Sequence, residues 1–573
     1  MLDNLRVAWT LKDIGDLLKI KGDNYFKIKS YYDVSKLIRN LDEDINDLLI
    51  EDRLEELEGV GSGLAATIEE ILTEGSCAKY EELKAELPLG LLDILDLSGV
   101  GPKKVKQFYE ELEIDSLEKL AQAARQRELR KLPGIGSKTE AKITDAIKRS
   151  EGKGQENQIN LAIATDLANE LIDICTKLSS VNEAEITGSL RRKEELIEQI
   201  DLLLATESPA ELLAFLSELP LVTSLTEEED RVKLTSRLDI EIEVLFTELE
   251  SFSCELLRST GTEHHYTKLK ELAAQRGYEL SSSSLYNKSI AEDEVVNSEE
   301  EIYQRLKLPY IIPEIRDGKE EIELALQDDL PVKLEVADIK GDLHLHTNWS
   351  DGASTIREMA VAGQERGYEY LAICDHSRSL GVAGGLKVAE LKRQLEEIDR
   401  TNEQLSDFQI LKGSEVDILA DGSLDYDSRL LEQLDIVVAS IHSGFRQSKQ
   451  KQTQRIITAL ENEQVDILGH PTGRLLPKRD PYPVDIEVII AKAAETDTIL
   501  EVNASPERLD LSSEHLRLAK EAGVKIAINT DAHSVEQLDN VRFGVYNVRK
   551  GLIGPQEVVN TYSLAQLREI LAT

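Results

Sequence analysis

The C-terminal part of the chain repeats one pattern, in which a short apolar run ends in histidine or carboxylate side chains. The first instance is DLHLHTNWSDG, residues 342–352, where His344 and His346 stand two positions apart. Side chains of a β-strand alternate between its two faces, so these imidazoles are predicted to point to the same face. They can therefore share a metal ion, and Asp351 follows them in a short polar turn.

Six later runs continue the pattern and predict the fold of this region. They are YEYLAICDHS, FQILKGSEVD, LDIVVASIHS, VDILGHPTGR, TILEVNASP and VKIAINTDAH. Helical stretches such as VAELKRQLEEIDRTNEQL lie between them. Strands that alternate with helices form a parallel sheet or barrel. We therefore expect seven strands whose C-terminal ends gather the polar side chains, since barrel enzymes carry their chemistry at those ends.

Metal binding is the function that these polar residues indicate. A single histidine at a strand end is as often a hydrogen-bonded polar residue as a ligand, but six of the nine histidines fall into this pattern. Imidazole mixed with carboxylate suits zinc, manganese or iron, and so many ligands exceed what one ion can use. We therefore predict two or three divalent ions, Mn²⁺ or Zn²⁺, and phosphoester hydrolysis as the chemistry. The candidate ligands are His344, His346, Asp351, His376, Glu415, His442, His470, Asp531 and His533.

Three segments nearer the N-terminus share a second motif: LEGVGSGLAATIEEIL, LSGVGPKKVKQFYEEL and LPGIGSKTEAKITDAI. In each, an apolar-x-Gly-apolar-Gly turn leads into an amphipathic helix. The glycines permit a tight turn whose backbone N–H groups, at the start of a helix, can bind a phosphate oxygen. One such turn is usually only a turn, but three copies predict helix-hairpin-helix units that bind the DNA backbone without reading its sequence. The residues concerned are Gly59, Gly61, Gly99, Gly101, Lys103, Lys104, Gly134, Gly136 and Lys138.

The charge of the chain is unevenly distributed. The net charge is −42, although affinity for the phosphate backbone comes largely from Lys and Arg. Residues 98–154 nevertheless hold thirteen Lys and Arg against nine Asp and Glu, a local net charge of +4. The acidic remainder of the chain is consistent with solubility, with a salty cytoplasm, or with suppression of non-specific binding. The sequence leaves these three explanations open.

Cysteine usage and hydropathy predict the compartment. The four cysteines are widely spaced and form no CxxC motif, which argues against a disulfide framework. The N-terminus lacks a basic region followed by an apolar core, and no apolar run reaches the roughly eighteen residues of a membrane span. We therefore expect a cytoplasmic protein that does not bind a membrane. We further expect a monomer whose partner is DNA, as a duplex, primer-template or gapped substrate.

Residues 340–573 resemble the PHP (polymerase and histidinol phosphatase) domain. The resemblance rests on HLH with Asp351, Asp375-His376, Glu415, His442, His470 and Asp531-Ala532-His533. It implies a distorted seven-stranded barrel with a trinuclear metal site. The stretches EVNASPERLD and GHPTGR are also similar to bacterial chains in which this domain follows a family X DNA polymerase. Arg474 and Arg508, on loops at the same barrel face, are candidates to hold substrate phosphate, and the alternative for each is a structural role.

The segment EAEITGSLRRKEELIEQIDLLLAT resembles the palm of family X polymerases. There, GS-x-RR contacts the nucleotide triphosphate and two Asp one residue apart hold two magnesium ions. Gly188, Ser189, Arg191 and Arg192 match the first motif. The first carboxylate position falls on Gln199, the second on Asp201, and a third, on a later strand, on Glu243. Asp201 and Glu243 are therefore expected to form a degenerate site for Mg²⁺, and the alternative is a solvated strand face.

The same resemblance predicts a multidomain fold: a helical helix-hairpin-helix region, an α+β palm and thumb, and an α/β distorted (β/α)7 barrel. The expected segments are 1–90 for the N-terminal helical domain, 91–154 for the second DNA-binding region, 155–248 for the palm and 249–318 for the thumb. A linker at 319–339 then leads into the PHP domain at 340–573. The polar stretch GKGQENQ, residues 152–158, is a predicted domain boundary.

Four functions are weighed on these residues. The first is a DNA-repair nuclease that removes nucleotides in the 3′ to 5′ direction, the polarity that the resemblance implies. The second is a template-directed DNA polymerase, which Gln199 opposes. The third is a non-catalytic DNA-binding scaffold, which the complete ligand set opposes. The fourth is a small-molecule phosphatase, which the fused DNA-binding units oppose.

The helix after the first hairpin predicts that the chain has no sugar-phosphate lyase activity. In lyase-active family X enzymes a lysine at this position forms a Schiff base with an abasic sugar, whereas this sequence has Thr67, which lacks an amine. Borohydride added to the protein with an incised abasic duplex is therefore expected to trap no covalent adduct. A trapped protein–DNA band would overturn this prediction.

Overall fold

A computed structural model describes residues 2–571 apart from 40, 42–43, 58, 96, 98–99, 137–138, 141–142, 145–146, 148–157, 220–221, 229–230 and 237–239. The predicted boundary at 152–158 therefore lies almost wholly outside the described residues. The chain forms two compact units. The first comprises Met1–Gln158, Glu170–Glu185 and Glu198–Leu249, and the second comprises Ile159–Asn169, Ile186–Ile197 and Glu250–Thr573. Among the described residues, no helix has both the length and the apolar character of a membrane span.

The N-terminal region is helical, as its 3.6-residue periodicity predicts. Apolar side chains spaced three and four residues apart, among them Leu11, Ile14 and Leu18, bury the inner face of the first helix. A second apolar cluster, centred on Phe108, lies under the later helices. The α-helices are Leu2–Lys21, Tyr25–Arg39, Ile45–Ile50, Ser62–Glu74, Ala78–Glu86, Gly90–Leu95, Pro102–Leu112 and Leu117–Arg125, with 3-10 turns at Leu54–Glu56 and Leu129–Lys131.

The hairpin turns have the backbone that the glycine pattern predicts. Gly59 and Gly134 adopt positive φ angles of 81° and 78°, a conformation that L side chains rarely take. Gly61 and Gly101 precede helices without any side-chain cap, and a Cβ built on either meets no atom within 4 Å. The helix N-termini are therefore open to an approaching phosphate. Gly99 and Lys138 lie outside the described residues.

The first unit also contains a mixed β-sheet. Its strand order is β2-β4-β7-β6-β5, with β4 parallel to β7 and with β6 antiparallel to both β5 and β7. Ile200 and Ile242 are buried on one face, so their neighbours in sequence lie on the other. The strands of this sheet are β2 Val181–Thr187, β4 Gln199–Thr206, β5 Val222–Glu227, β6 Arg231–Ser236 and β7 Glu241–Thr247, accompanied by helix Pro209–Glu218. The short strands β1 Ile159–Asn160 and β3 Leu196–Ile197 pair with each other and belong, with helix Gly188–Arg191, to the second unit. Helix Leu161–Cys175 and strand β2 have residues in both units.

The thumb-like part of the second unit is built around a buried ion network. Arg316 is fully buried, pairs with Glu299 and lies 5.4 Å and 5.2 Å from the ring centroids of Tyr303 and Tyr310. Glu299 also pairs with Arg191 at 2.7 Å, and the two arginines hold the pKa of that carboxyl at about 2 against the effect of burial. The elements are helices Phe252–Thr260, Glu263–Gln275, Glu299–Arg305 and Glu321–Gln327 and the antiparallel strands β8 Tyr278–Leu280, β9 Leu285–Asn287 and β10 Glu292–Glu294.

The C-terminal part is a seven-stranded parallel barrel, as predicted. The strands are β11 Gly341–Leu345, β12 Tyr370–Ile373, β13 Gln409–Asp417, β14 Ile436–Ser440, β15 Ile467–Leu468, β16 Ile499–Asn503 and β17 Ile526–Asn529, and they pair in chain order. A parallel bridge between Leu345 and Ala532 joins the first strand to the last. Two backbone hydrogen bonds, His346 N to Ala532 O and Asp531 N to His344 O, accompany it. The barrel is therefore nearly closed.

Helices cover the outside of this barrel. They are Ile356–Glu365, Val388–Asn402, Ser428–Leu431, Lys449–Leu460, Ile486–Glu495, Ser513–Glu521, Val541–Lys550 and Leu564–Leu571. Their apolar faces pack on the strands in one large cluster that includes Ile356, Leu391, Ile456, Ile489 and Val545. The alternate strand residues, among them Leu343, Ala372 and Val438, form a second buried cluster. Both faces of the strands are therefore apolar, which is why the strands read as continuous apolar runs.

The buried ion network predicts a large stability effect. In the variant Glu299→Gln the shape of the side chain is kept but Arg316 loses its counter-charge, which costs about 3–5 kcal/mol for a buried pair. Urea unfolding followed by circular dichroism should register this loss. The exposed neighbouring Glu300→Gln should change stability by no more than about 0.5 kcal/mol. A Glu299→Gln protein that unfolds at the wild-type urea concentration would contradict the assignment.

Candidate metal centre

Six of the seven barrel strands deliver predicted ligands at or just beyond their C-terminal ends. His344 lies within β11 and His346 directly follows it, while Glu415 lies near the end of β13. His376, His442, His470, Asp531 and His533 follow the ends of the other strands, and Asp351 lies in the loop after β11. Gly352 permits that loop to fold back, because a Cβ there would lie 2.7 Å from His346 O. The parallel strands therefore bring the nine residues to one end of the barrel.

Glu415 occupies the middle of this cluster. Its side chain is 1 % exposed. Its Oε1 lies 2.9 Å from His470 Nε2, 3.2 Å from His442 Nε2 and 3.6 Å from His344 Nε2. Its Oε2 lies 2.6 Å from His376 Nδ1 and 3.7 Å from His346 Nε2. One carboxylate thus faces five imidazoles, and these side chains would hold divalent ions if such ions bind here.

The donor atoms fall into three groups whose members lie within 4.8 Å of one another. The shared members are His346, which belongs to the first and second groups, and His376, which belongs to the first and third. The groups are His346, Asp351, His376 and His533; then His344, His346 and Asp531; then His376, Glu415 and His442. His470 belongs to none of the three but touches Glu415. Each group could hold a metal ion, and the number of ions stays a prediction.

Several donor atoms in the cluster lack the hydrogen bonds that buried polar atoms normally make. Among the described residues, His346 Nδ1, His376 Nδ1, His470 Nδ1 and Glu415 Oε2 have no hydrogen-bond partner. The 2.6 Å contact between His376 Nδ1 and Glu415 Oε2 lies outside hydrogen-bond geometry. His344 Nε2 and His346 Nε2 face each other at 3.3 Å. These unsatisfied donors and the mixture of nitrogen and oxygen atoms fit divalent cations.

The electrostatics of the cluster favour added positive charge. Burial lowers the pKa of His346 to about 3, so this imidazole is neutral and retains a lone pair. Burial also acts to lower the pKa of His376, but the carboxylates of Glu415 and Asp351 outweigh it and raise the value to about 10. The pKa of His442 is raised to about 9 in the same way, burial being outweighed by Glu415 and Asp417. The carboxylates therefore stabilise cations, whether protons or metal ions.

Two buried carboxylates beside the ligands were not identified from the sequence. Glu501 Oε1 accepts a hydrogen bond from His344 Nδ1 at 2.8 Å, and Asp417 Oδ1 lies 2.7 Å from His442 Nδ1. Such outer carboxylates orient ligand imidazoles. A signal existed for Asp417, because it follows Glu415 by two residues and so shares its strand face. Glu501 lies on β16, the one strand of the seven to which no ligand was assigned.

The two arginines at the barrel mouth differ in their surroundings. Arg508 Nε lies 3.5 Å from Asp531 Oδ2, beside the predicted ligands. Arg474 Nε donates to Arg508 O at 2.9 Å, and its Nη2 contacts Leu509 O and lies 2.7 Å from Glu195 Oε1. The guanidinium of Arg474 is thus largely engaged by protein partners. The phosphate-binding role of both arginines stays a prediction.

The polymerase-like carboxylates lie together in the first unit. Asp201 on β4 pairs in register with Glu243 on β7, and Gln199 pairs with Glu241. Gln199 Nε2 donates to Asp201 Oδ1 at 2.5 Å and to Glu243 Oε2 at 3.4 Å. A neutral amide therefore bonds to both carboxylates that were predicted to bind a cation.

The GS-x-RR turn lies in the second unit, where thumb residues hold its arginines. Arg191 Nη1 donates to Thr260 Oγ1 at 2.6 Å, and Arg192 Nη1 donates to Thr260 O at 2.8 Å. Gly188 is buried and adopts a φ of 61°, and Ser189 follows it in the same turn. In the thumb-like part, the buried His265 lies 2.5 Å from Glu321 Oε1. This contact pairs the imidazole with a carboxylate, so its burial does not require a metal ion. Nucleotide binding by this turn stays a prediction.

Comparison with known proteins agrees with this architecture. The chain matches a helix-hairpin-helix domain over residues 2–77, a SAM-like helix-hairpin-helix tandem over 91–149, the DNA polymerase beta thumb over 255–317 and the PHP domain over 342–505. It is 39% identical over 566 residues to the DNA polymerase/3'-5' exonuclease PolX of Bacillus subtilis (strain 168). The aligned region covers 98% of each chain. The chain belongs to the PolX family.

Membership in the PolX family accounts for the DNA-binding modules and for the fold class, both of which are confirmed. The chain is also similar to shorter proteins, which match less than half of its length. It is 33% identical over 247 residues to a "Probable phosphatase" of Thermoanaerobacter sp. (strain X514), which covers 40% of this chain and 93% of that protein. It is 29% identical over 230 residues to a "Probable phosphatase" of Syntrophotalea carbinolica, which covers 38% and 90%.

Proposed function

We propose that this chain is a DNA-repair enzyme whose PHP domain removes nucleotides from DNA 3′ ends by metal-dependent phosphodiester hydrolysis. The observation that carries the proposal is the clustering of nine imidazole and carboxylate side chains at one end of the barrel, where five of the imidazoles lie within 3.7 Å of Glu415. The PolX relative is named as a polymerase and 3'-5' exonuclease, which supports the polarity. The helix-hairpin-helix turns supply the sequence-independent contact with DNA.

The residues of the cluster have distinct tasks in this proposal. When bound, divalent ions supply an activated water and positive charge opposite the phosphate. His346 and His376 each belong to two of the three ligand groups and so link them. Glu415 belongs to the third group and also contacts His344 and His346 of the second. Arg508, beside Asp531, holds a substrate phosphate oxygen. Arg474 supports the loop of Arg508 by donating a hydrogen bond to the Arg508 carbonyl oxygen, in addition to any contact with phosphate. The six segments expected from the sequence are kept as the domain organisation.

Polymerase activity is proposed to be weak or lost. The support is the Gln199 amide, which donates to Asp201 and Glu243 where two-metal nucleotidyl transfer requires anionic oxygens around cations. The alternative is an active gap-filling polymerase. It is favoured by the register of Asp201 with Glu243, which keeps two carboxylates facing each other for Mg²⁺. A non-catalytic scaffold remains the third reading, which the ligand cluster opposes.

The nuclease proposal predicts the effect of removing one ligand. With Mn²⁺ and a 5′-labelled primer-template, the wild type should shorten the primer, and His344→Ala should lower the rate by more than about 100-fold, since even outer-shell partners cost 10–100-fold. Duplex binding in a gel-shift assay should be unchanged. The exposed thumb histidine variant His264→Ala is the matched control and should keep the wild-type rate. Shortening by His344→Ala at that rate would refute the assignment.

The degenerate palm predicts a gain of function. In Gln199→Asp the amide that bridges the two carboxylates becomes an anionic oxygen donor, so Mg²⁺ affinity and primer extension with nucleotides should rise above wild type. The measurement is extension of the same primer-template in the His344→Ala background, where shortening does not interfere. Gln199→Glu, which adds the charge on a longer side chain, tests the geometry and should gain less. Equal extension by wild type and Gln199→Asp would favour the active-polymerase alternative.

A further inference from the structure

Strand β16 contributes a buried carboxylate, Glu501, that bonds to two of the predicted ligand residues, His344 and His470. Glu501 is fully buried at the centre of β16, the strand to which no ligand was assigned. Its Oε1 accepts hydrogen bonds from His344 Nδ1 at 2.8 Å and from Asn529 Nδ2 at 3.0 Å. Its Oε2 accepts from the backbone N of His470 at 2.6 Å and lies 3.5 Å from Asn503 Nδ2. Four N–H groups from four segments thus converge on one side chain.

We infer that Glu501 is a positioning residue that holds the ring of His344 and the backbone of His470 for metal binding. An ionised carboxylate only accepts hydrogen bonds, so the hydrogen of His344 must reside on Nδ1. In the neutral ring, the form that binds a metal ion, Nε2 then carries the lone pair and faces inward, towards Glu415 Oε1 at 3.6 Å and Asp531 Oδ1 at 3.9 Å. This inference rests on the proposed metal-dependent function.

The chemistry of the contact requires an acid rather than an amide. A glutamine at position 501 offers one oxygen to four N–H donors and turns its own NH₂ group towards some of them. If that NH₂ donates to His344 Nδ1, the hydrogen of the imidazole moves to Nε2 and blocks the atom that faces the cluster. A glutamine side chain would therefore fill the same space and still weaken metal binding.

The test compares Mn²⁺ binding by the full-length wild type and by Glu501→Gln. After dialysis against a chelator, isothermal titration calorimetry should give an affinity about 10–100-fold weaker for the variant at one site or more. In the primer assay kcat should fall at low Mn²⁺ and recover as Mn²⁺ is raised, with KM for DNA unchanged. A role in packing alone would not produce recovery by metal.

The control is Asp466→Asn, which removes another carboxylate of the barrel. Asp466 precedes β15 and accepts a hydrogen bond from Val437 N at 2.7 Å, away from the ligands, so its variant should bind Mn²⁺ like wild type. Equal affinity of wild type and Glu501→Gln would overturn the inference. If circular dichroism shows that Glu501→Gln does not fold, the same titration on Glu501→Asp decides, with weaker binding expected. A wild type that binds Mn²⁺ but leaves DNA intact would contradict the proposed nuclease alone.

Discussion

The barrel end depends on one buried charge, the carboxylate of Glu415. Water cannot solvate it there, so five imidazoles must do so, and the separations of 2.6–3.7 Å between its oxygens and their nitrogens leave no room for another layer of protein. An isolated buried carboxylate is expensive unless it is paired or coordinates a metal. The site is therefore assembled around negative charge that only cations balance.

The polymerase-like carboxylates illustrate the opposite solution. Asp201 and Glu243 face each other across two strands, and an amide from Gln199 satisfies them instead of a cation. Arg231 lies 3.3 Å from Glu243 and adds a fixed positive charge. The same chain thus contains one carboxylate cluster with unsatisfied ligand atoms and another whose carboxylates already bond to an amide and an arginine, and this contrast supports the proposed hydrolysis over synthesis.

The sequence predicted the barrel and its ligands because the evidence was local. His344 and His346 are two residues apart, and each later ligand ends an apolar run, so strand geometry alone aligns them. Local patterns could not predict the role of Glu501, because its side chain contacts His344, which is 157 residues away in the sequence. The ion pair of Arg474 was equally unpredictable, because its partner Glu195 lies 279 residues earlier and the sequence around either residue gives no sign of the contact. Long-range side-chain partners require coordinates.

Closure of the barrel has a consequence for biosynthesis. Asp342 on β11 accepts hydrogen bonds from Thr530, 188 residues further along the chain, and Asp531 sits beside His344 only once β17 has joined β11. A ribosome adding about 5–20 residues per second needs roughly 10–40 s to cover that interval. During translation His344 and His346 thus emerge from the ribosome long before Asp531 and His533. A chain truncated ahead of Ala527 would lack most of β17 and so could not close the barrel.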